Sequence, residues 1–419
     1  MDKFIIKGQQ KLAGQIKVSG AKNSALKIIA ATILLNDPVT ISNVPDLMDV
    51  RTMKKVLEKL GASVEYSPKN STMKIDPSTI NSYRAPYELV KTMRASFQVM
   101  GPLLARFGNA EISLPGGCNF GPRPVDYHLK AFEQMGAKIT TEHGYICAKV
   151  DKLIGNHIYF DFPSVGATEN VIMAASLTDG VTIIENAAKE PEVVDLATFL
   201  KLCGAKIEGE GTSRIRIEGV KKLHARDFTV LSDRIEAGTF ILASLATNSS
   251  LEIIGAPVFA LEVFLEKLKD CGHDFEIHQN SLIVKPSKNP KAIKFTAQPH
   301  PGFPTDLQAP MAAYLSTVEG TSLITEGVYE NRFVYISELN RMGASIELDG
   351  NKAYITGQDF LSGAPVMASD LRAGAALVIA ALGAKGTTEI NRVYHIDRGY
   401  DGLVAKLSAV GAQIERVVG

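Results

Sequence analysis

The sequence predicts an α/β protein of two domains, each built from three βαβαββ repeats. Three observations predict it. An amphipathic run ending in Gly-Ala and leading into a strand recurs at Gly61, Gly136, Gly204, Gly343 and Gly411, with a degenerate copy, CGHDFEI, at Gly272. The successive spacings are 75, 68, 68, 71 and 68 residues, close to one sixth of the chain. A second marker, a short strand such as VTISN, recurs at Ile41, Ile112, Ile183, Ile253, Ile324 and Ile390, spaced 71, 71, 70, 71 and 66. Finally, 419 residues are too many for one core.

Within each repeat the elements follow in a fixed order. Runs such as DLMDVRTMKKVLEKL have one apolar face and predict surface helices, stopped by a glycine in the left-handed region. Ahead of each marker isoleucine lies a different helix, small and apolar nearly all round: NSALKIIAATIL, ASFQVMGPLLA, NVIMAASLT, GTFILASLAT, QAPMAAYLS and AGAALVIAALGA. Such helices belong inside. Each repeat therefore reads strand, buried helix, strand, surface helix and a pair of strands. The first domain is expected over residues 20–227. The second is expected over 228–419, with residues 1–19 rejoining it, and the cleft between two such lobes is where a ligand is expected.

Composition narrows the function. Forty-five basic and forty-five acidic residues cancel, so no broad positive field for nucleic acid exists. Four cysteines at 118, 147, 203 and 271 form no Cys-x-x-Cys pair, which excludes a disulfide framework or a zinc spacing and fits a reducing cytoplasm. The start MDKFIIKGQQ lacks the apolar stretch of a signal peptide, and the uncharged apolar run from Ala373 to Ala384 is too short to span a bilayer. A soluble, cytoplasmic protein without membrane insertion is expected, and the sequence assigns no oligomeric state. Fingerprints for dinucleotides, P-loop phosphates, zinc proteases and serine hydrolases are missing.

Aligning the repeats places a polar or charged residue where each buried helix begins: Lys22 and Asn23, Arg94, Ser164, Arg234, Asp306, and Asp370 with Arg372. Ser, Asp and Asn at such positions are ordinary caps. Arginine and lysine are disfavoured at the positive end of a helix, so Lys22, Arg94, Arg234 and Arg372 point to bound anions such as phosphate or carboxylate. Cys203 and Cys271 take the position before the helix-ending glycine, filled elsewhere by Leu60, Met135, Met342 and Val410, and are read as core; Cys147, in the strand GYICAKV, is read as structural.

Cys118 stands apart. The stretch Leu114-Pro-Gly-Gly-Cys118-Asn-Phe-Gly-Pro-Arg123-Pro124 lies in the longest interval between marker isoleucine and glycine, 24 residues against 19 to 21 elsewhere. An extension of three to five residues with Gly116, Gly117 and Gly121 has the freedom a closing lid needs. A thiol held there near a cation is suited to proton transfer or covalent chemistry. His128, five residues beyond Arg123, is the histidine best placed to join it.

Taken together, Ser19-Gly-Ala-Lys22-Asn23-Ser-Ala-Leu, the loop PGGCNFGPRPVDYHL, Phe303-Pro-Thr-Asp306-Leu-Gln-Ala-Pro, Glu330-Asn-Arg332-Phe, Ser369-Asp370-Leu-Arg372-Ala-Gly and Ile396-Asp-Arg398-Gly-Tyr resemble the UDP-N-acetylglucosamine 1-carboxyvinyltransferase branch of the EPSP synthase family of enolpyruvyl transferases. The resemblance spans almost the whole chain. It implies two inside-out α/β domains with the active site in the cleft between them. It also implies transfer of the enolpyruvyl group of phosphoenolpyruvate to the 3-hydroxyl of UDP-N-acetylglucosamine, with release of phosphate and no cofactor or metal. That reaction opens peptidoglycan synthesis, and with it cell-wall growth, shape and division.

By the same resemblance Cys118 is the general acid toward the enol methylene and the target of fosfomycin, and Asp306 is the candidate base near the attacking hydroxyl. Lys22 and Asn23 match phosphoenolpyruvate-binding positions, and Arg123, Arg372 and Arg398 match the cations on its phosphate and carboxylate; Lys22 and Arg398 are counted with the catalytic set. Arg94, the run Arg123-Pro124-Val125-Asp126-Tyr127, Ser164-Val165 and Val328 match UDP-sugar positions, and Arg332 and Asp370 complete the substrate-binding set. Two departures stand out. Lys27 replaces a commoner proline and is expected to alter the start of its helix, and Asp161-Phe-Pro-Ser164 lacks a lysine that some relatives carry. The competing readings are a 3-phosphoshikimate enolpyruvyl transferase and a catalytically silent UDP-sugar-binding paralogue. The Cys118 loop and the RPVDY run speak against the first. Retention of Cys118, Asp306 and the arginines speaks against the second.

Overall fold

A computed structural model describes residues 2–91, 93–113 and 125–419, with the Arg94 side chain excepted. The chain divides into two compact units, Gly20–Leu231 and Met1–Ser19 with Ser232–Gly419. This division and the 227/228 boundary read from sequence differ by the short strand Phe228–Thr229, which pairs in parallel with Ile41–Ser42.

Among the described residues each unit holds three four-stranded sheets of one topology. In the sheet of His157–Tyr159, Val181–Glu185, Lys206–Glu208 and Arg214–Glu218, the first two strands are parallel. The last inserts antiparallel between the second and third. Three sheets borrow a strand from far along the chain. Besides Phe228–Thr229, Ala13–Lys17 pairs in parallel with Ser250–Ile254. Lys3–Lys7 lies antiparallel between Thr387–Asn391 and Gln413–Val417. Borrowing satisfies backbone groups that an incomplete repeat would leave open.

The predicted buried helices lie inside each unit and the sheets outside. In Leu371–Gly383 every residue from Arg372 to Leu382 is buried. It packs with Arg234–Ala246 and Gln308–Leu315, which also pack on each other. The apolar residues form one contiguous core in each unit. Surface helices such as Met48–Leu60 bury one face only, here Val50, Met53, Val56, Leu57 and Leu60. All six repeat glycines have φ between 92° and 106°, and the next amide bonds back five residues, as Ala62 N–H does to Leu57 O at 3.0 Å. The degenerate copy keeps the motif, His273 N–H donating to Leu268 O at 3.1 Å.

One marker needs correction. Ile184, not Ile183, is the third core isoleucine: Ile184 is fully buried while Ile183 is half-buried on the other face. A one-residue slip in a strand reverses every side chain.

The second repeat of each unit departs from a plain α-helix. The 3-10 segment Arg94–Val99 precedes Met100–Phe107, and the 3-10 segment Thr305–Leu307 precedes Gln308–Leu315. Pro102 and Pro310 occupy the third position of these α-helices, where a missing N–H and a ring clash with the preceding turn prevent the α ladder from extending upstream. Arg94 and Asp306 therefore stand on tight turns ahead of the helices.

Candidate active site

In the unit containing residues 232–419, Asp306 is the centre. Its Oδ1 accepts from Arg332 Nη2 at 2.7 Å, and its Oδ2 accepts from Arg372 Nη2 at 2.9 Å and Nε at 3.1 Å. The arginine side chains are 4% and 6% exposed, whereas that of Asp306 is 27% exposed, so the carboxylate is the open end of the cluster. Burial works to raise the Asp306 pKa, but Arg372 and Arg332 outweigh it and hold the carboxyl far below the usual carboxylate range. The same pairing raises both guanidinium pKa values against the opposing effect of burial. As it stands Asp306 is a permanent anion and a weak base.

The surrounding chain fixes this cluster. Gly238 lets the helix Arg234–Ala246 approach the turn bearing Asp306, where a Cβ would meet Leu307 Cδ1 at 2.5 Å. Asp370 caps Leu371–Gly383, accepting from Arg372 N at 2.8 Å and Ala373 N at 3.1 Å, and Ser369 Oγ donates to it at 3.0 Å. Asp233 caps Arg234–Ala246 in the same manner, at 2.8 and 3.0 Å, and Arg234 is buried. Buried Glu326 accepts from Thr305 Oγ1 at 2.9 Å, Val328 N at 2.8 Å and Tyr329 N at 3.2 Å, tying the Asp306 turn to the half-buried Val328. Arg398 ends the 3-10 segment Val393–Arg398 and is half-buried. Burial, with Arg398 and Arg392, lowers the pKa of the neighbouring His395 against the pull of Asp370.

In the unit Gly20–Leu231, Lys22 opens the helix Lys22–Ala31 and its Nζ pairs with Asp49 at 3.1 Å; Asn23 beside it is half-buried. Ser24 donates to Asp195, whose carboxyl burial pushes up to about 6. Lys27 lies within this helix, which begins at Lys22 without a preceding 3-10 segment. It faces inward and pairs with fully buried Glu169 at 3.3 Å. The segments carrying Arg94, Asp126–Tyr127 and Ser164–Val165 converge. Gln98 Nε2 donates to Gly166 O at 3.1 Å, Asn170 Nδ2 bonds His128 Nδ1 at 3.0 Å, and Tyr127 meets Phe160 edge-on at 5.9 Å. Val125 is buried at the start of Asp126–Gln134, Asp126 is exposed, and Val165 is half-buried. Ser164 is a cap, accepting from Ala167 N at 3.3 Å. His128 is a core residue, its ring edge-on to Phe97 at 5.2 Å.

Cys118, Arg123 and Pro124, with Gly116, Gly117 and Gly121, lie outside the described residues, as does the Arg94 side chain. None of the three described thiols is activated. Burial raises the pKa of Cys147, of Cys203 to about 11 and of Cys271 to about 12. Among the described residues no group of three or more His, Cys, Asp or Glu could hold a metal ion, and no helix is long and apolar enough to cross a membrane.

Sequence reasoning missed Glu326, Thr239 and Tyr400. Tyr400 lies inside a motif already singled out, but its bond to Arg372 Nη1 at 3.2 Å has no local signature.

Six βαβαββ repeats in two three-sheet units define an α/β transferase of the enolpyruvyl-transferase fold. The profile of the EPSP synthase (3-phosphoshikimate 1-carboxyvinyltransferase) family matches residues 6–407, and the chain belongs to that family. It is 52% identical over 414 residues, 99% of each chain, to UDP-N-acetylglucosamine 1-carboxyvinyltransferase 1 of Caldanaerobacter subterraneus. It is 52% identical over 419 residues, all of both chains, to UDP-N-acetylglucosamine 1-carboxyvinyltransferase 2 of Carboxydothermus hydrogenoformans. Among solved structures, the enolpyruvyl transferase NikO of Streptomyces tendae superposes with a TM-score of 0.91 at 26% identity, covering 100% of this chain and 99% of that one. The EPSP synthase of Acinetobacter baumannii superposes with a TM-score of 0.81 at 18% identity over all of both chains, a likeness of fold alone.

Proposed function

We propose that the chain transfers the enolpyruvyl group of phosphoenolpyruvate to the 3-hydroxyl of UDP-N-acetylglucosamine, releasing phosphate. It would act in the cytoplasm at the start of peptidoglycan synthesis. Near-full-length identity of 52% to relatives bearing that activity in their names carries the reading. The Asp306, Arg332 and Arg372 cluster supplies chemistry that suits it.

The reaction is an addition followed by an elimination. The acceptor oxygen bonds to C2 of phosphoenolpyruvate while C3 takes a proton, and then C3 loses a proton as the C2–O bond to phosphate breaks. Cys118 delivers the first proton, and Arg123 helps to set its pKa. Lys22, Asn23, Arg372 and Arg398 hold the phosphate and carboxylate. Arg94, Pro124, Val125, Asp126, Tyr127, Ser164, Val165 and Val328 seat the UDP-sugar, with Arg332 and Asp370 shaping the Asp306 end. An arriving anion competes for Arg372, and the oxygen it releases on Asp306 becomes a stronger base for the 3-hydroxyl. The residues 20–227 and 1–19 with 228–419 serve as the two lobes of this reading.

Purified protein incubated with phosphoenolpyruvate and each acceptor in turn, with phosphate release measured, tests the assignment. Release with UDP-N-acetylglucosamine is expected, and release only with shikimate 3-phosphate would overturn it.

A further inference from the structure

We infer that Tyr400, braced by Thr239, is a positioning residue that fixes the Arg372 guanidinium for the anionic group of phosphoenolpyruvate. The inference rests on the reading of Arg372 as an anion ligand. Three elements meet at the tyrosine. It follows the 3-10 segment Val393–Arg398 and is 3% exposed, its hydroxyl accepts from Arg372 Nη1 at 3.2 Å, and it lies 2.9 Å from Thr239 Oγ1 on the helix Arg234–Ala246.

The proton order is determined by the network. Thr239 Oγ1 donates to Ile235 O at 2.8 Å, so its one hydrogen is committed and its oxygen must accept from Tyr400. The Tyr400 hydroxyl hydrogen therefore points to Thr239, and its lone pairs face the guanidinium. The ring also lies under Arg372, with Cζ 5.5 Å from its centroid. The two edges of Arg372 thus have separate duties. Nε and Nη2 engage Asp306, and Nη1 is held by Tyr400. When an incoming phosphate or carboxylate draws the first edge away from Asp306, the second stays anchored. The planar donor fork then meets the anion in a fixed plane without first being ordered.

Tyr400→Phe keeps the ring and removes only the hydroxyl, and Thr239 retains its bond to Ile235. The expected result is a KM for phosphoenolpyruvate raised about tenfold, as for loss of one hydrogen bond to a charged group. KM for UDP-N-acetylglucosamine should stay within about twofold and kcat within about threefold. Thr239→Val, which removes the brace, should move the same KM by about threefold and serves if the tyrosine variant fails to fold. The Kd for inorganic phosphate, measured by calorimetry without acceptor, should rise in parallel. An unchanged phosphoenolpyruvate KM and phosphate Kd in both variants would overturn the inference, as would an equal rise in both substrates' KM. A wild-type protein that binds phosphate but transfers nothing to UDP-N-acetylglucosamine would instead refute the proposed function.

Discussion

Lys27→Met should destabilise the unit Gly20–Leu231 in a manner that depends on pH. Lys27 Nζ and Glu169 Oε2 are 3.3 Å apart, with side chains 10% and 0% exposed. At that separation and an effective dielectric near 20, the attraction is on the order of 5 kcal/mol, most of it consumed by desolvation. Burial raises the Glu169 pKa to about 7 even though Lys27 opposes the rise. A carboxyl raised in the folded state contributes stability that is full below its unfolded pKa and is lost as pH climbs through about 7. In the wild type the loss levels off above that value, because Glu169 ionises against Lys27. Without Lys27 the carboxyl keeps its proton to higher pH, and the loss continues at ~1.4 kcal/mol per pH unit. The gap between variant and wild type should be small at pH 6 and widen by about 2–3 kcal/mol between pH 7 and 9, roughly 6–10 °C in Tm. Thermal melts followed by circular dichroism at pH 6, 7.5 and 9 measure it. Glu236, also raised to about 7 by burial, titrates in both proteins and cancels. The double variant Lys27→Met/Glu169→Leu should recover most of the loss and its pH dependence. An equal gap at every pH, or a double variant as unstable as the single one, would refute the reasoning.

Asp306→Asn removes the carboxylate that Arg332 and Arg372 share and leaves them only the attraction of Asp370 on Arg332 and of Asp233 on Arg372. It should cost about 3 kcal/mol by denaturant titration and lower kcat by at least ~100-fold in phosphate release. His273 is held neutral, Nδ1 accepting from Ser287 N at 2.9 Å and Nε2 meeting the Tyr314 hydroxyl at 2.5 Å, and burial lowers its pKa to about 4. Its contribution is full above its ordinary pKa near 6.5 and fades as pH falls toward 4, so acid titration of His273→Gln should lack a loss of up to ~3 kcal/mol seen in the wild type. Fosfomycin should leave one adduct, on the Cys118 peptide, by mass spectrometry, because burial raises the pKa of every other thiol; an adduct on Cys147 would contradict the assignment. Cys118→Ser should abolish turnover while UDP-sugar affinity, read by calorimetry, stays within about threefold.

The sequence by itself determined what has a local or periodic cause. Six glycines after amphipathic runs had to adopt positive φ, and six apolar stretches had nowhere to go but the interior. Helix caps such as Asp370 and Ser164 were legible because they act within three residues. The tertiary structure decided what depends on residues distant in the chain. Lys3–Lys7 completes a sheet with Thr387–Asn391, and Arg372 Nη1 reaches Tyr400, which in turn meets Thr239. Ile183 and Ile184 are chemically identical, so only the strand register could choose between them. Lys27 stands out in the sequence only as the replacement of a commoner proline, and folding alone sets Glu169, 142 residues on, opposite it. For Asp306, a candidate base by resemblance, the sequence shows the type of side chain and not its partners. Two buried arginines 26 and 66 residues away determine its charge, and only folding brings them within 3 Å.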